Sequence, residues 1–326
     1  MILVTGGAGY IGAHMVKLLG ERGRETVTLD NLSRGHREMV TSGKFIEGDL
    51  SDRGLLEDIF RGCDIGAVFH FAADSLVGES EENPRRYYRN NVANGIQLLD
   101  VMLEAGVKRI VFSSSAAVYG EPGRIPLAEN HPVIPVNVYG TTKLILEDMM
   151  KQYAEVYGLR FVSLRYFNAA GADPDGLIGE DHDPETHLIP LILDAALGRR
   201  KDITVFGEDY DTPDGTCIRD YIHVTDLAEA HLLALDYLEK GNGKSAVYNL
   251  GNGRGFSVLE VIQAAERVTG QTIPFRTGGR RRGDPARLVA SSEGISREWG
   301  WKPRYADLDV IVETAWKWHR RRFGRA

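Results

Sequence analysis

Apolar positions along the first half of the chain follow two alternating rhythms. Short apolar runs at Ile2–Thr5, Thr26–Asp30, Lys44–Glu47, Ala67–Ala72, Arg109–Ser114 and Arg160–Tyr166 predict strands. The stretches between them carry apolar residues at helical spacing, such as Ile11, Met15, Leu18 and Leu19. Strand, helix and strand repeated in this way predict an α/β fold, a doubly wound parallel sheet of the Rossmann type with helices on both faces. The rhythm breaks after Asn168. Gly, Asp, Pro and His crowd residues 171–187, which predicts a long loop, and a second such stretch runs from Tyr210 to Thr216. A helix at Asp226–Leu238 and segments around Val247–Leu250, Val258–Thr269 and Val310–His319 make a less regular second half. The expected division is a first domain over residues 1–168 and a smaller α/β lobe over 169–326, with some later segments packing back on the first.

Thr5-Gly6-Gly7-Ala8-Gly9-Tyr10-Ile11-Gly12 lies between the first predicted strand and the first helix. Gly7, Gly9 and Gly12 satisfy G-x-G-x-x-G, and Gly6, Gly9 and Gly12 also give G-x-x-G-x-x-G. Missing side chains permit a tight turn and a close approach of backbone to a pyrophosphate, and a helix N-terminus offers free N–H groups to the phosphates. A glycine pattern alone is weak evidence. Here it has a strand before it, a helix after it and an acid, Asp30, at the end of the second strand.

Asp30 bears on the choice of dinucleotide. A carboxylate can bond both ribose hydroxyls of NAD and repels the 2′-phosphate of NADP, so NAD is expected, although Arg34 and Arg37 lie nearby. Asp49, in Gly48-Asp49-Leu50 after the third strand, is placed either to accept from an adenine amino group or to cap its loop.

Tyr139-Gly140-Thr141-Thr142-Lys143 opens a helix, and residues at i and i+4 share a face. Tyrosine alone is a poor base at neutral pH, with a pKa near 10. A neighbouring ammonium and a positively charged nicotinamide favour its phenolate. On most helices such a pair is ordinary surface; behind a dinucleotide loop it is a candidate proton-transfer pair. Ser113-Ser114-Ser115 ends the fifth predicted strand. A hydroxyl there can bridge a substrate hydroxyl and Tyr139, or simply terminate the strand.

Composition narrows the class. The 326 residues are 43% hydrophobic and 26% charged, with a formal net charge of −7, which fits a soluble enzyme and disfavours a nucleic-acid binder. The basic run Arg320-Arg321-Arg322-Phe323-Gly324-Arg325 is expected to be a solvated tail. The two cysteines, Cys63 and Cys217, sit in no metal-type or CxxC spacing, so no disulfide framework is expected. His182 and His187 also lack a matching ligand spacing, and no metal is expected. The chain enters a strand at once, with no basic segment before it and no apolar run of membrane length, so a cytoplasmic protein without a membrane partner is expected.

The glycine loop, the Ser-Ser-Ser end before Val118-Tyr119-Gly120 and the Tyr139/Lys143 pair resemble the extended short-chain dehydrogenase/reductase superfamily. Other segments resemble its UDP-glucose 4-epimerases, essentially end to end. They include Asp30-Asn31-Leu32 with Gly35-His36-Arg37, Phe69-His70-Phe71-Ala72-Ala73, Val77-Gly78-Glu79-Ser80 and Asn90-Asn91-Val92. Leu164-Arg165-Tyr166-Phe167-Asn168, Arg219-Asp220-Tyr221-Ile222-His223-Val224 and Tyr248-Asn249-Leu250-Gly251 continue the match.

The resemblance implies an NAD-dependent isomerase that inverts C4 of UDP-hexoses through a 4-keto sugar and works as a homodimer. It implies that Tyr139 is the general base, Lys143 its partner on the nicotinamide ribose, and Ser115 the hydroxyl bridge. Gly6, Gly9, Tyr10, Ile11, Asp30, Asn31, Asp49, Leu50, Phe71, Ala72, Ala73, Asn90, Ser113 and Tyr166 become expected NAD contacts, together with Tyr139 and Lys143. Asn168, Leu188, Phe206, Arg219, Tyr221, Arg281 and Asp284 become the expected clamp on UDP, where the planar fork of arginine suits phosphate. Some members have a lysine reaching NAD where this chain has Ser75, and an asparagine near the diphosphate where it has His187. Some also place a tyrosine beside the sugar C2 substituent where this chain has Leu288, so a wider pocket open to N-acetylated sugars is expected. Two rivals share the fold. A sugar-nucleotide dehydratase needs an acidic pair where this chain has Ala116 and Ala117, and a non-catalytic NAD-sensing protein has no need of Tyr139, Lys143 and Ser115 together.

Overall fold

A computed structural model describes residues 1–240, 243–281 and 285–324. The strands β1 (Ile2–Thr5), β2 (Thr26–Asp30), β3 (Lys44–Glu47), β4 (Ala67–His70), β5 (Arg109–Ser115) and β6 (Arg160–Tyr166) follow the predicted runs closely. With the strand Ala246–Leu250 they form a seven-stranded sheet, ordered Ala246–Leu250, β6, β5, β4, β1, β2, β3. β1 pairs in parallel with both β2 and β4, so the strand order reverses beside β1, where a doubly wound sheet binds its nucleotide. β4 stops at His70 rather than Ala72 because the N–H groups of Phe71 and Ala72 both turn to the Thr5 carbonyl, at 3.0 and 3.1 Å.

The chain divides into two compact units, each discontinuous in sequence. The first comprises Met1–Gly120, Asn130–Arg165 and Ala228–Tyr248. Its core gathers the inward faces of strands and helices around Leu98, Met102, Ile110, Phe112, Leu146 and Phe161. Each such side chain contributes about 1.5–3 kcal/mol by leaving water. Residues 228–248 belong here because His231 packs on Phe71 at 4.9 Å between ring centroids, and Ser245 Oγ accepts from the Phe161 N–H.

The second unit comprises Glu121–Glu129, Tyr166–Leu227 and Asn249–Ala326. Its central strand, Ile218–His223, pairs in parallel with Asn168–Ala170 and Arg287–Leu288 and antiparallel with Gly255–Ser257. A separate parallel pair joins Ile203–Phe206 to Phe275–Gly278. Helices Leu188–Ala196, Val258–Thr269 and Leu308–Phe323 bury Ile192, Leu193, Val261, Ile262, Ile311 and Val312 in one core. Residues 121–129 join this unit through backbone: Leu127 N–H donates to Val289 O at 2.8 Å, and Ser291 N–H donates to Leu127 O at 2.7 Å. Stretches 171–187 and 210–216 hold neither helix nor strand, in line with their turn-forming composition.

The basic run near the C-terminus departs from expectation. Arg320, Arg321 and Arg322 belong to the helix Leu308–Phe323, where Arg322 pairs with Asp181 at 2.8 Å and Arg321 donates to Gly176 O at 3.2 Å. Their spacing along a helix gives two of them carboxylate or carbonyl partners that a linear reading of charge does not show.

Asp226 is a buried carboxylate in the first turn of the helix Val224–Glu239. Its two oxygens accept the N–H groups of Arg304 and Tyr305 at 3.0 and 2.8 Å, which anchors a segment without secondary structure of its own. Asp226→Ala leaves both donors without this partner and is expected to cost about 2–4 kcal/mol. Denaturant unfolding measures the loss, and a variant as stable as the parent would refute this anchoring role.

Candidate active site

The loop after β1 is closed to side chains at two glycines. At Gly6, with φ +74°, a Cβ would stand 2.5 Å from the Ala72 nitrogen, and at Gly12 it would stand 2.1 Å from the Gly6 oxygen. The helix Tyr10–Glu21 starts at Gly9 with no side-chain cap and no acid in its first turn, which leaves its N-terminus suited to an anion. Tyr10 and Ile11 are its first residues, and the buried Tyr10 ring meets His14 edge-on.

Asp30 ends β2 and is buried. Its Oδ2 accepts from Ala8 N–H and its Oδ1 from Leu32 N–H, each at 2.9 Å. The second bond holds Leu32 at φ +56°, a left-handed conformation uncommon outside glycine. Burial raises the Asp30 pKa, opposed by those two hydrogen bonds. Each oxygen keeps a lone pair for a ribose hydroxyl. The nearby cations are engaged: Arg34 pairs with Glu79 at 3.4 Å, and Arg37 stacks over Phe45 at 4.3 Å. The set therefore fits NAD.

Asn31 donates to Asp49 Oδ2 at 2.5 Å, while Asp49 Oδ1 accepts from Ser51 N–H at 2.8 Å. One carboxylate oxygen thus does the loop-capping that the sequence left as an alternative. Partial burial would raise the Asp49 pKa, but the hydrogen bonds from Ser51 and Asn31 overcome it and hold the pKa low. Leu50 is buried, and its carbonyl accepts from Gln97. Phe71 stacks on Phe69 after β4, with Ala72 and Ala73 following it. Asn90 lies in a π-helical turn, Tyr88–Ala93. Such turns recur at functional sites.

The reacting groups lie at the start of the helix Val138–Tyr157 and the end of β5. Asn137 caps the helix by accepting from Gly140 N–H at 2.8 Å. Ser115 accepts from Ala117 N–H at 3.1 Å and also hydrogen-bonds the Tyr139 side chain. Lys143, one turn on, donates to Ser113 O at 2.8 Å and lies 5.7 Å from the centre of the Tyr139 ring. Tyr139, Ser115, Lys143 and Ser113 are thus brought together. The electrostatics differ from expectation. Burial pushes the Tyr139 phenol up, and only Ser115 pulls it back. Burial also lowers Lys143 to about 7, opposed by Glu147.

Several polar groups that position these residues carry no motif of their own. Asn91 accepts from Asp74 N–H at 2.8 Å and donates to Thr142 Oγ1 at 3.1 Å, tying the π-helical turn to the Tyr139 helix. Glu147 accepts from Ser114 and from Arg165, and Arg165 also donates to Tyr119 at 2.9 Å. Glu147 lies one turn beyond Lys143, and that helical spacing was the available signal.

Of the seven expected UDP residues, Asn168, Arg219 and Tyr221 fall on one small sheet of the second unit. Arg219 and Tyr221 are two apart on the central strand and share a face. Asn168 pairs in register with Tyr221, and Leu288 with Arg219. Arg281 stacks over Phe206 at 4.0 Å. Leu188 is the first residue of its helix and packs partly buried against the core that includes Tyr221. Tyr166, an expected NAD contact, ends β6 and also belongs to this unit, where it is buried. Asp284 lies outside the described residues.

Spacing alone offered no ligand set around His182 and His187. The folded loop brings ligand atoms of Glu180, His182, Glu185 and His187 within 4.8 Å of one another. A spacing rule written for helices and hairpins does not describe a loop that folds back on itself.

Residues 2–251 match the model of the NAD dependent epimerase/dehydratase family. The chain is 56% identical over 319 residues to a UDP-glucose 4-epimerase of Halalkalibacterium halodurans, across 98% of this chain and 95% of the relative. It is similar to the crystal structure of UDP-glucose 4-epimerase from Brucella ovis in complex with NAD, with a TM-score of 0.95, 50% identity and 99% and 98% of the two chains covered. It is also similar to the UDP-Glc/GlcNAc 4-epimerase of Campylobacter jejuni, with a TM-score of 0.86, 41% identity and 98% and 99% coverage.

His70 ends β4 beside this site, 2.8 Å from Thr5 Oγ1 and stacked on Phe112. Burial, and then the nearby Lys143, lower its pKa from 6.5 to about 3. As the pH falls below 6.5, the unfolded chain takes up a proton that the folded chain refuses. The stability His70 contributes is therefore complete above pH 6.5 and lost as pH falls toward 3. His70→Phe keeps the aromatic packing and is expected to flatten the pH dependence of unfolding over that window. Identical slopes for variant and parent would contradict it.

Proposed function

Because the chain belongs to the NAD dependent epimerase/dehydratase family, we propose that it inverts C4 of UDP-hexoses, interconverting UDP-glucose and UDP-galactose through a 4-keto sugar. NAD is the cofactor, and when bound it supplies a hydride acceptor that ends each cycle unchanged. The observation that carries the reading is the hydrogen-bonded Ser115–Tyr139 pair with Lys143 one helical turn away. The Tyr139 oxygen takes the proton of the sugar 4-hydroxyl, with Ser115 bridging the two, and later returns it. Lys143 holds the nicotinamide ribose and adds positive charge when protonated. Burial alone favours the neutral phenol, so a phenolate at Tyr139 depends on positive charge that arrives with the cofactor.

Between the two proton transfers the 4-keto sugar turns about its link to the diphosphate and presents its other face. Asn168, Leu188, Phe206, Arg219, Tyr221, Arg281 and Asp284 form the proposed clamp, so the groups that bind tightly are those that do not react. The glycine loop, Asp30, Asn31, Asp49, Leu50, Phe71, Ala72, Ala73, Asn90, Ser113 and Tyr166 are the proposed NAD contacts. The dehydratase reading is not favoured. Ala116 and Ala117 follow Ser115 in a short 3₁₀ turn, and elimination needs an acid there. A homodimer in the cytoplasm is part of the same proposal, and sedimentation of the purified protein tests the dimer.

Tyr139→Phe removes the proton-transfer group and leaves the proposed clamp in place. Turnover of UDP-galactose without added cofactor is expected to fall about 10²–10⁴-fold, with UDP affinity nearly unchanged. Near-normal turnover in the variant would refute the role given to Tyr139.

Leu288 faces Arg219 across a parallel pair and leaves more room than a tyrosine at the same register. We propose that UDP-GlcNAc and UDP-GalNAc interconvert as well as the non-acetylated pair. Leu288→Tyr is expected to suppress the acetylated reaction selectively, since a packed wall yields little. The ratio of kcat/KM for the two sugar pairs measures it. A parent protein inactive on acetylated sugars would end this part of the reading and leave C4 epimerisation standing.

A further inference from the structure

The loop that leads into the helix Leu188–Ala196 carries the sequence Glu180-Asp181-His182-Asp183-Pro184-Glu185-Thr186-His187. It bends so that both imidazoles present Nδ1 to the same two carboxylates. His182 Nδ1 lies 3.3 Å from Glu180 Oε1 and 3.6 Å from Glu185 Oε2. His187 Nδ1 lies 2.9 Å from Glu180 Oε1 and 2.8 Å from Glu185 Oε1. For metal–ligand bonds of about 2.0–2.2 Å, the edges of a tetrahedron are about 3.3–3.6 Å. The two His182 separations already have that length, and the two of His187 are about 0.5 Å short. With all ligand atoms within 4.8 Å of one another, binding requires Glu185 to turn one oxygen toward both rings and the loop to close slightly on the ion.

We propose that Glu180, His182, Glu185 and His187 form a site for one divalent transition-metal ion of the Zn2+ class. The donor set selects the metal. Two imidazoles with two carboxylates suit Zn2+ and its neighbours, whereas Ca2+ and Mg2+ prefer oxygen ligands throughout. Charge also balances, because two carboxylates cancel one divalent ion while both imidazoles bind as neutral ligands.

The surroundings support a built site. Glu185 Oε1 accepts the N–H groups of Thr186 and His187 at 2.7 and 2.8 Å, which orients its carboxylate. The backbone on the other side is held by the C-terminal helix, where Trp318 Nε1 donates to Glu180 O at 3.2 Å and Arg322 pairs with Asp181. Glu180 is 9% exposed and His187 46%, so the site has a buried floor and an open side for entry. An ion there ties Glu180, within the loop, to His187, the N-cap of the helix Leu188–Ala196, and stabilises the folded unit by mass action.

The test uses tag-free, full-length protein treated with a chelator and then titrated with Zn2+ by calorimetry, with bound metal counted by mass spectrometry. About one Zn2+ per chain is expected, with a rise in Tm and no matching response to Mg2+. Loading with Co2+ is expected to give the visible absorption of a four-coordinate ion. His182→Ala and His187→Asn are each expected to weaken Zn2+ binding by at least about 100-fold. His187 is nearly half exposed, so His187→Asn reads the site even where His182→Ala fails to fold. The proposal is overturned by the absence of stoichiometric Zn2+ binding, or by Zn2+ affinity unchanged in His187→Asn. Either outcome leaves the cluster as hydrogen-bonded ion pairs only.

Discussion

The close approach of Gly140 to Ala117 controls how the candidate active site is assembled. A Cβ at position 140 would stand 2.4 Å from the Ala117 carbonyl oxygen, so only glycine lets the helix start lie against the turn that follows β5. That contact sets the distance between two elements far apart in sequence. It brings Tyr139 to Ser115 and Lys143 to Ser113, and the polar ties around it fix the same geometry from other sides. Asn137 caps the helix, Asn91 bonds Thr142, and the Ser80 hydroxyl accepts from the Tyr139 N–H at 3.2 Å. Many hydrogen bonds hold a short segment whose side chains must be placed to a fraction of an ångström.

Burial at this site opposes charge on both members of the Tyr139/Lys143 pair. It favours the phenol over the phenolate and lowers the lysine toward neutrality, with Glu147 resisting. Glu147 is itself secured by Arg165, so the buried pair behind the lysine sustains whatever charge the ammonium keeps. A site arranged in this way gains phenolate, the form able to take a proton, when a positively charged ring is bound, which couples proton transfer to the presence of cofactor. Arg219, on a strand, and Arg281, stacked on Phe206, are the proposed diphosphate anchors, a task that suits the planar fork of arginine.

What the sequence revealed depended on how local each feature was. The glycine loop, Asp30 and the Tyr139/Lys143 spacing are contained within a few residues, and their geometry follows from one strand end or one helix turn. The six strands of the first half were visible because each is a short apolar run between turn signals. Residues 121–129 and 228–248 change unit through contacts such as Leu127 with Val289 and Phe71 with His231, which no local pattern encodes. Arg322 read as a solvated charge because Asp181 is 141 residues away in sequence. The Glu180–His187 cluster was missed because ligand-spacing rules assume regular backbone, and this loop has none. The electrostatic direction at Tyr139 was not legible because desolvation depends on what surrounds the ring.

The fate of the hydrogen on C4 tests the proposed chemistry most directly. UDP-galactose carrying deuterium at C4 would be converted in ordinary water, and the UDP-glucose formed analysed by mass and by NMR at C4. If that hydrogen leaves as hydride and returns within the closed site, the product keeps its deuterium at C4 and gains none of the solvent's protium. Loss of the label to solvent at a rate matching product formation would mean that the C4 hydrogen leaves as a proton. That result would contradict the role given to Tyr139 as base for the hydroxyl rather than for carbon.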